Sequence, residues 1–192
     1  VPTDKEQCKI KVSAQHGFDP KNALLFFNGL LNYKPNLEAL DVILQKINPL
    51  LLKSSLNYNI IIAGKGLPET YNHLKEWKEK HIHYAGFVED IDLYTKASDI
   101  LLNPVTSGGG VKTKMIEAIA LNTTVVSTVS GATGINPEVC GNKLIITRDG
   151  DWDEFVQAII KAVPGTDETP EAFYKMYNWK SIIDNICQIL SK

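Results

Sequence analysis

DILLNPVTSGGGVKTKMIEAIA, residues 99–120, passes from a short apolar run through three consecutive glycines into a segment with apolar residues at Val111, Met115, Ile116, Ile119 and Ala120. The first part, Asp99–Leu102, has the character of a buried strand, and the last, Lys112–Leu121, has the period of a helix. Strand, glycine turn and helix outline an anion site. Glycines at Gly108, Gly109 and Gly110 permit positive φ and place no Cβ in a ligand's way. The first amides of the following helix, beginning at Val111, have no intrahelical partner and carry the positive end of its dipole. Lys112 and Lys114 stand in that first turn, where a cation opposes the dipole and an anionic ligand would offset the conflict. Glu117, one turn on, is placed to accept hydrogen bonds from the hydroxyl groups of whatever the amides hold. The plainer alternative is a glycine-rich connector with solvated lysines.

Outward from this unit the same alternation repeats. Strands are expected at Ala23–Asn28, Asn59–Ala63, Ile82–Ala85, Asp99–Leu102, Thr124–Thr128 and Lys143–Thr147. Helices are expected at Asn36–Leu52, Glu69–Lys80, Asp90–Ala97, Lys112–Leu121 and Trp152–Val163. ALLFFN is apolar without interruption, as parallel strands are when both faces are covered. The pattern predicts an α/β fold: a doubly wound, Rossmann-like parallel sheet of about six strands with helices on both faces. In such sheets ligands lie beyond the carboxyl ends of the strands. The glycine turns collect on that edge, at Gly29, Gly64, Gly66, Gly86, Gly108–Gly110, Gly131 and Gly134. Residues 1–22 show no clear period and are expected to be a lead-in, 23–165 the folded domain, and 166–192 a C-terminal helix, Pro170–Leu190, apolar on more than one face.

The 192-residue length fits one domain, and 44% apolar with 22% charged residues is ordinary globular composition. A net charge of −2 with scattered lysines argues against nucleic acid as a partner. Arg148 is the only arginine, so phosphate charge must be met by lysine and backbone. Cys8, Cys140 and Cys187 are too sparse for a disulfide framework, which points to a reducing, cytoplasmic setting. No apolar run is long enough to span a membrane, so membrane association is expected only through a longer parent protein, of which a chain beginning at Val1 is read as a part. Other motifs fall short. GKGLPE lacks the third glycine of a dinucleotide fingerprint, GGGVKT lacks the Gly-Lys of a phosphate loop, and Asp149, Asp151 and Asp153 lack the glycine and closing Glu of a calcium loop. His81 and His83 have no third ligand nearby in sequence, so no metal and no cofactor are expected.

Taken in order, FFNGLLNYKPNLEAL, IIIAGKGLP, HYAGFVEDIDLYTKASDILLNP, GGGVKTKMIEAIALNTTVVSTVSGATGI, DGDWDEFVQAI and YNWKSIIDNICQIL resemble the carboxy-terminal half of family 4 retaining glycosyltransferases of the GT-B fold. The resemblance runs from Ala23 nearly to the end and is strongest over Gly108–Gly134. It implies a domain that binds a nucleotide-sugar donor (UDP-, GDP- or similar), partnered by an amino-terminal domain that receives a glycan or lipid-linked acceptor in glycan biosynthesis. The isolated half would then be inactive, its last helix crossing back to the other domain. The resemblance assigns ribose hydroxyls to Glu117, the diphosphate and sugar to the amides of Gly109, Gly110 and Val111, the nucleoside to Gly64 and Gly66, and the base edge to the backbone of Val88, with Gly29 and Gly108 as further substrate-binding residues. The family commonly carries a Glu at the position of Gly109, an Arg at that of Leu30 and a Lys near Pro35, to which Lys34 lies closest. Lys112 and Lys114 are therefore the candidates for holding the leaving phosphate. Two other functions remain open at this point: a GT-B sugar-nucleotide isomerase or epimerase, and a non-catalytic nucleotide-sugar-binding domain.

Overall fold

The computed structural model describes residues 3–177. In chain order the elements are α1 (Asp4–His16), β1 (Ala23–Asn28), α2 (Lys34–Val42), α3 (Asn48–Leu51), β2 (Tyr58–Ala63), β3 (Ile82–Gly86), α4 (Ile91–Ala97), β4 (Ile100–Asn103), α5 (Thr113–Ala120), β5 (Thr124–Thr128), β6 (Leu144–Thr147), α6 (Trp152–Ala162) and α7 (Glu171–Tyr177). The six strands form one sheet in the order β3-β2-β1-β4-β5-β6, and every pair is parallel. The chain winds outward from β1 through β2 to β3 and returns across the sheet to β4. The reversal of strand order therefore falls between β1 and β4.

Period-two alternation divides the core into two layers. Leu25, Phe27, Ile60, Ile62, Leu102 and Val126 face the layer that holds Leu40, Ile43, Ile47 and Phe155 from α2, the turn after it and α6. Leu24, Phe26, Ile61, Leu101 and Val125 face the other layer, with Val12, Met115, Ile119 and Phe173 from α1, α5 and α7. A side chain such as Phe26 or Phe27, fully buried, contributes about 1.5–3 kcal/mol. Both faces are covered, which explains why β1 carries no polar alternation.

Three expectations need correction. Residues 1–22 are not merely a lead-in: Asp4–His16 is a helix with a Thr3–Glu6 capping box at its start and Gly17, at φ 71°, closing its end. Its apolar stripe is weak, and it docks largely through polar groups. Lys5 Nζ donates to the Lys96 and Ser98 carbonyls and to Thr123 Oγ1, and Lys9 pairs with Asp99 at 2.7 Å. The helix expected over Asn36–Leu52 starts at Lys34 and contains a π-helical turn, Ile43–Ile47, between α2 and α3. Pro49 has no N–H to offer the Gln45 carbonyl, so the α-helical ladder cannot continue there. Glu69–Lys80 is a set of 3-10 turns broken by left-handed Asn72, His73 and Leu74. Of the C-terminal helix, α7 lies within the described residues, while the expected continuation through Trp179 and Ile189 lies outside them.

Candidate functional site

Where β1 and β4 part, three polar side chains stand on one face at the carboxyl ends of adjacent strands: Asn28, Asn103 and Ser127. Asn103 Nδ2 donates to Ser127 Oγ at 2.9 Å and to Met115 Sδ of α5 at 3.0 Å. The Oδ1 atoms of Asn28 and Asn103 are buried and have no partner among the described residues. Buried amide oxygens almost always find a donor, so this is a locus of unspent hydrogen-bonding capacity. Lys114 reaches it from α5. Its Nζ donates to the Asn28 carbonyl at 3.1 Å and lies 4.6 Å from the centre of the Phe27 ring. Burial, reinforced by the neighbouring Lys112 charge, pulls the Lys114 pKa down to about 8.

The glycine turn after β4 forms the outer wall. Gly108 and Gly110 have φ of 87° and 78°, open only to residues without the usual Cβ restriction. Lys112 folds back so that Nζ donates to the carbonyls of Gly108, Gly109 and Gly110 at 3.4, 3.2 and 3.1 Å. In a trans peptide the N–H points opposite to the C=O. Three carbonyls converging on one ammonium therefore turn the N–H groups of Gly109, Gly110 and Val111 away from it. Among the described residues these three amides have no hydrogen-bond partner, and the segment is exposed. Successive unpaired amides before a helix make a concavity for an anion. The loop is braced from both sides. A Cβ on Gly108 would lie 3.0 Å from Pro35 Cγ, and one on Gly134 would lie 2.6 Å from Val111 Cγ2.

Beside Asn28 a cleft of about 380 Å³ opens between the ends of β1, β2 and β3, lined by Gly29, Leu30, Gly64, Lys65, Phe87, Val88 and Glu89. Its turns are stitched edge to edge: Gly29 N donates to Ala63 O, Leu31 N to Lys65 O and Gly64 N to Gly86 O, at 2.7–3.1 Å. Tyr84 Oη donates to the Gly64 carbonyl at 2.8 Å. A Cβ on Gly64, whose φ is 144°, would stand 1.8 Å from the Gly29 carbonyl oxygen. Only glycine allows the two turns to meet.

The residues singled out from sequence divide accordingly. Gly29, Gly64 and Val88 line the cleft. Gly66 sits against Asn32 one turn outward. Gly108, Gly109, Gly110, Val111, Lys112 and Lys114 form the mouth of α5. Glu117 is exposed on the next turn of that helix. Lys34 stands apart: it is largely exposed at the start of α2 and pairs with Glu38 at 3.7 Å. Asn28, Lys65, Phe87 and Glu89 were not singled out. For Phe87 and Glu89 the available signal was their place on either side of Val88. For Asn28 it was a polar residue closing an apolar strand.

A second cavity, about 620 Å³, lies between the α2–α3 junction and the turn after β6, against Lys46, Pro49, Arg148 and Trp152. It is larger, and Arg148, Asp149 and Asp151 of its lining are already engaged. Arg148 pairs with Asp151 at 2.7 Å and Glu154 at 3.0 Å, and Asp149 accepts from the N–H and hydroxyl of Ser130. Successive unpaired backbone amides, not volume, distinguish the mouth of α5. Among the described residues no group of three or more His, Cys, Asp or Glu is placed to hold a metal ion. His83 packs edge-on to Phe18 with ring centres 4.4 Å apart, and burial lowers its pKa to about 4. Among the described residues no helix is long and apolar enough to cross a membrane.

Comparison with known proteins agrees with this fold. A Klebsiella pneumoniae protein described as "Uncharacterized 44.6 kDa protein in cps region" is 32% identical over 144 residues, covering 69% of this chain and 35% of that protein. The Anabaena protein Alr3699/HepE, solved with UDP, superposes with a TM-score of 0.71 at 17% identity over 96% of this chain and 52% of its own. A glycosyltransferase from Rickettsia africae ESF-5 gives 0.72 at 15% identity, over 98% and 52%. The chain thus spans about a third of the curated relative and about half of the solved structures, with the GT-B half-fold in common. The family profile described as "Glycosyl transferases group 1" matches residues 22–163, and the chain belongs to that family.

Proposed function

We propose that this chain is the donor-binding half of a glycosyltransferase that moves a hexosyl group from a nucleotide sugar to an acceptor with retention of configuration and without a metal. The carrying observation is the set of three partnerless amides, Gly109 to Val111, beside the Lys114 ammonium at the point where strand order reverses. In the transfer, the bond between the sugar's anomeric carbon and the diphosphate oxygen breaks, a bond to an acceptor oxygen forms, and the acceptor's proton passes to the departing diphosphate oxygen. Negative charge gathers on the departing diphosphate. Fixed donors aimed at that charge lower the barrier because they need no reorganisation as it develops. The amides would hold one phosphate, and Lys114, released from the Asn28 carbonyl, would meet the other.

Glu117 would take the ribose hydroxyls, and the cleft between Gly29, Gly64 and Val88 the nucleoside. Gly66 would flank its entrance. Lys112 would keep its place on the loop carbonyls and orient the amides, while Lys34 would reach the diphosphate only by leaving Glu38. The acceptor, a glycan or lipid-linked sugar, would be held by a second domain of the whole protein, so this chain alone would bind donor and transfer nothing. Gly109, where the family carries a Glu against the hexose, favours a second reading, a domain that binds the donor without catalysis. The two separate on transfer by the whole protein.

Calorimetric titration with nucleoside diphosphates and their sugars tests the common claim. One of them should bind the chain, and Glu117→Gln should weaken it at least tenfold. If none of UDP, GDP, ADP or their sugars binds, the assignment fails.

A further inference from the structure

The cleft carries groups that the fold does not use. Phe87 is 62% exposed at the edge of the cleft. Lys65 Nζ lies 4.0 Å from the centre of that ring, covering one face and leaving the other open. Glu89, on the same wall, has no hydrogen bond or ion pair among the described residues. An open aromatic face, an unpaired carboxylate and a nearby ammonium surround one 380 Å³ space.

The hydrogen-bonding edges of the bases discriminate between possible occupants. Guanine presents N1–H and the 2-amino group side by side, two donors that match the two oxygens of a carboxylate, with O6 and N7 as acceptors for an ammonium. Uracil presents a single N–H between two carbonyl oxygens, which a carboxylate would face at close range. Adenine offers one amino group beside an unprotonated ring nitrogen, again an acceptor toward Glu89. We propose that this end of the site takes guanine: stacked on the open face of Phe87 with its donor edge on Glu89, while the Lys65 ammonium leaves the opposite face of the ring to meet its acceptor edge. The donor is then a GDP-sugar. This rests on the nucleotide-sugar reading above. The UDP-bound Anabaena protein shares 17% identity, so its base does not decide what residues 65, 87 and 89 accept here.

The test is calorimetric titration of the 192-residue chain with GDP, IDP, UDP and ADP at fixed pH and salt, repeated on Glu89→Gln. GDP should bind at least tenfold more tightly than UDP or ADP. IDP, which lacks the 2-amino group, should bind more weakly than GDP, and Glu89→Gln should lose at least tenfold for GDP with UDP unchanged. Glu89 is exposed, so the variant should keep the wild-type melting temperature. A GDP preference below tenfold, or one insensitive to Glu89→Gln, overturns guanine selection and leaves the nucleotide-sugar assignment standing. Failure to bind any of these nucleotides or their sugars removes both.

Discussion

Lys114 is where the chemistry of the site concentrates. Its ammonium is held on the Asn28 carbonyl at 3.1 Å in surroundings that lower its pKa to about 8. A diphosphate beside it would favour the charged form, so donor binding takes up a proton wherever free Lys114 is neutral. Affinity for a nucleotide sugar, whose phosphates do not titrate in this range, should be full below pH 8 and fall as pH rises through it. Lys114→Met should abolish that pH dependence and weaken binding at pH 7 by about tenfold, the equivalent of about 1.4 kcal/mol. A pH-independent affinity from 7 to 9.5 in the wild type would count against the role. Stability has its own sign. The unfolded chain holds the Lys114 proton up to about pH 10.4 and the folded chain only to about 8, so this residue makes the fold more stable as pH rises between those values.

The glycines differ as sharply. Gly64→Ala combines φ of 144° with a Cβ 1.8 Å from the Gly29 carbonyl and should cost about 3 kcal/mol or more in urea unfolding. Gly109→Ala has ordinary φ and open space and should stay within about 0.5 kcal/mol of wild type. Sequence alone identified both as site residues without separating them. The distinction depends on which turn each one touches.

Among the elements, α1 shows what periodicity misses. Its start was written in the sequence as Thr3-Asp4-Lys5-Glu6, the pattern of a capping box, and its stop as Gly17. The helix is silent to periodicity because it has little apolar stripe: it is fastened by Lys5 to the Lys96 and Ser98 carbonyls at the end of α4. Lys5→Met should destabilise the fold by about 1 kcal/mol. The loss of charge-assisted hydrogen bonds is partly offset by no longer burying a cation, whose pKa burial already lowers to about 8. An unchanged urea midpoint would contradict that balance. The 3-10 segment Glu69–Lys80 shows the opposite error. Its polar, helix-forming residues suit an α-helix, yet Asn72, His73 and Leu74 are left-handed in its middle, with Leu74 buried and Tyr71 and Trp77 packed on the same layer.

At the scale of the whole molecule, the strands were legible because each is a short apolar run bounded by turn residues, and β1 and β5 were expected with the bounds observed. Strand order was not legible: nothing in β1 or β4 alone says that they are neighbours. Once β1 and β4 are adjacent, Asn28, the cleft and the mouth of α5 fall together, and residues as distant as Gly29 and Gly108 belong to one site.

The central claim is that a diphosphate sits on the amides after β4, and a ¹H–¹⁵N correlation spectrum of the chain titrated with GDP and UDP reads those amides directly. The account predicts that the largest saturable shifts fall on Gly109, Gly110 and Val111, with smaller ones at Gly29, Gly64 and Val88. Shifts centred instead on Arg148–Trp152, at the larger cavity, with the Gly109–Val111 amides unmoved, would contradict it.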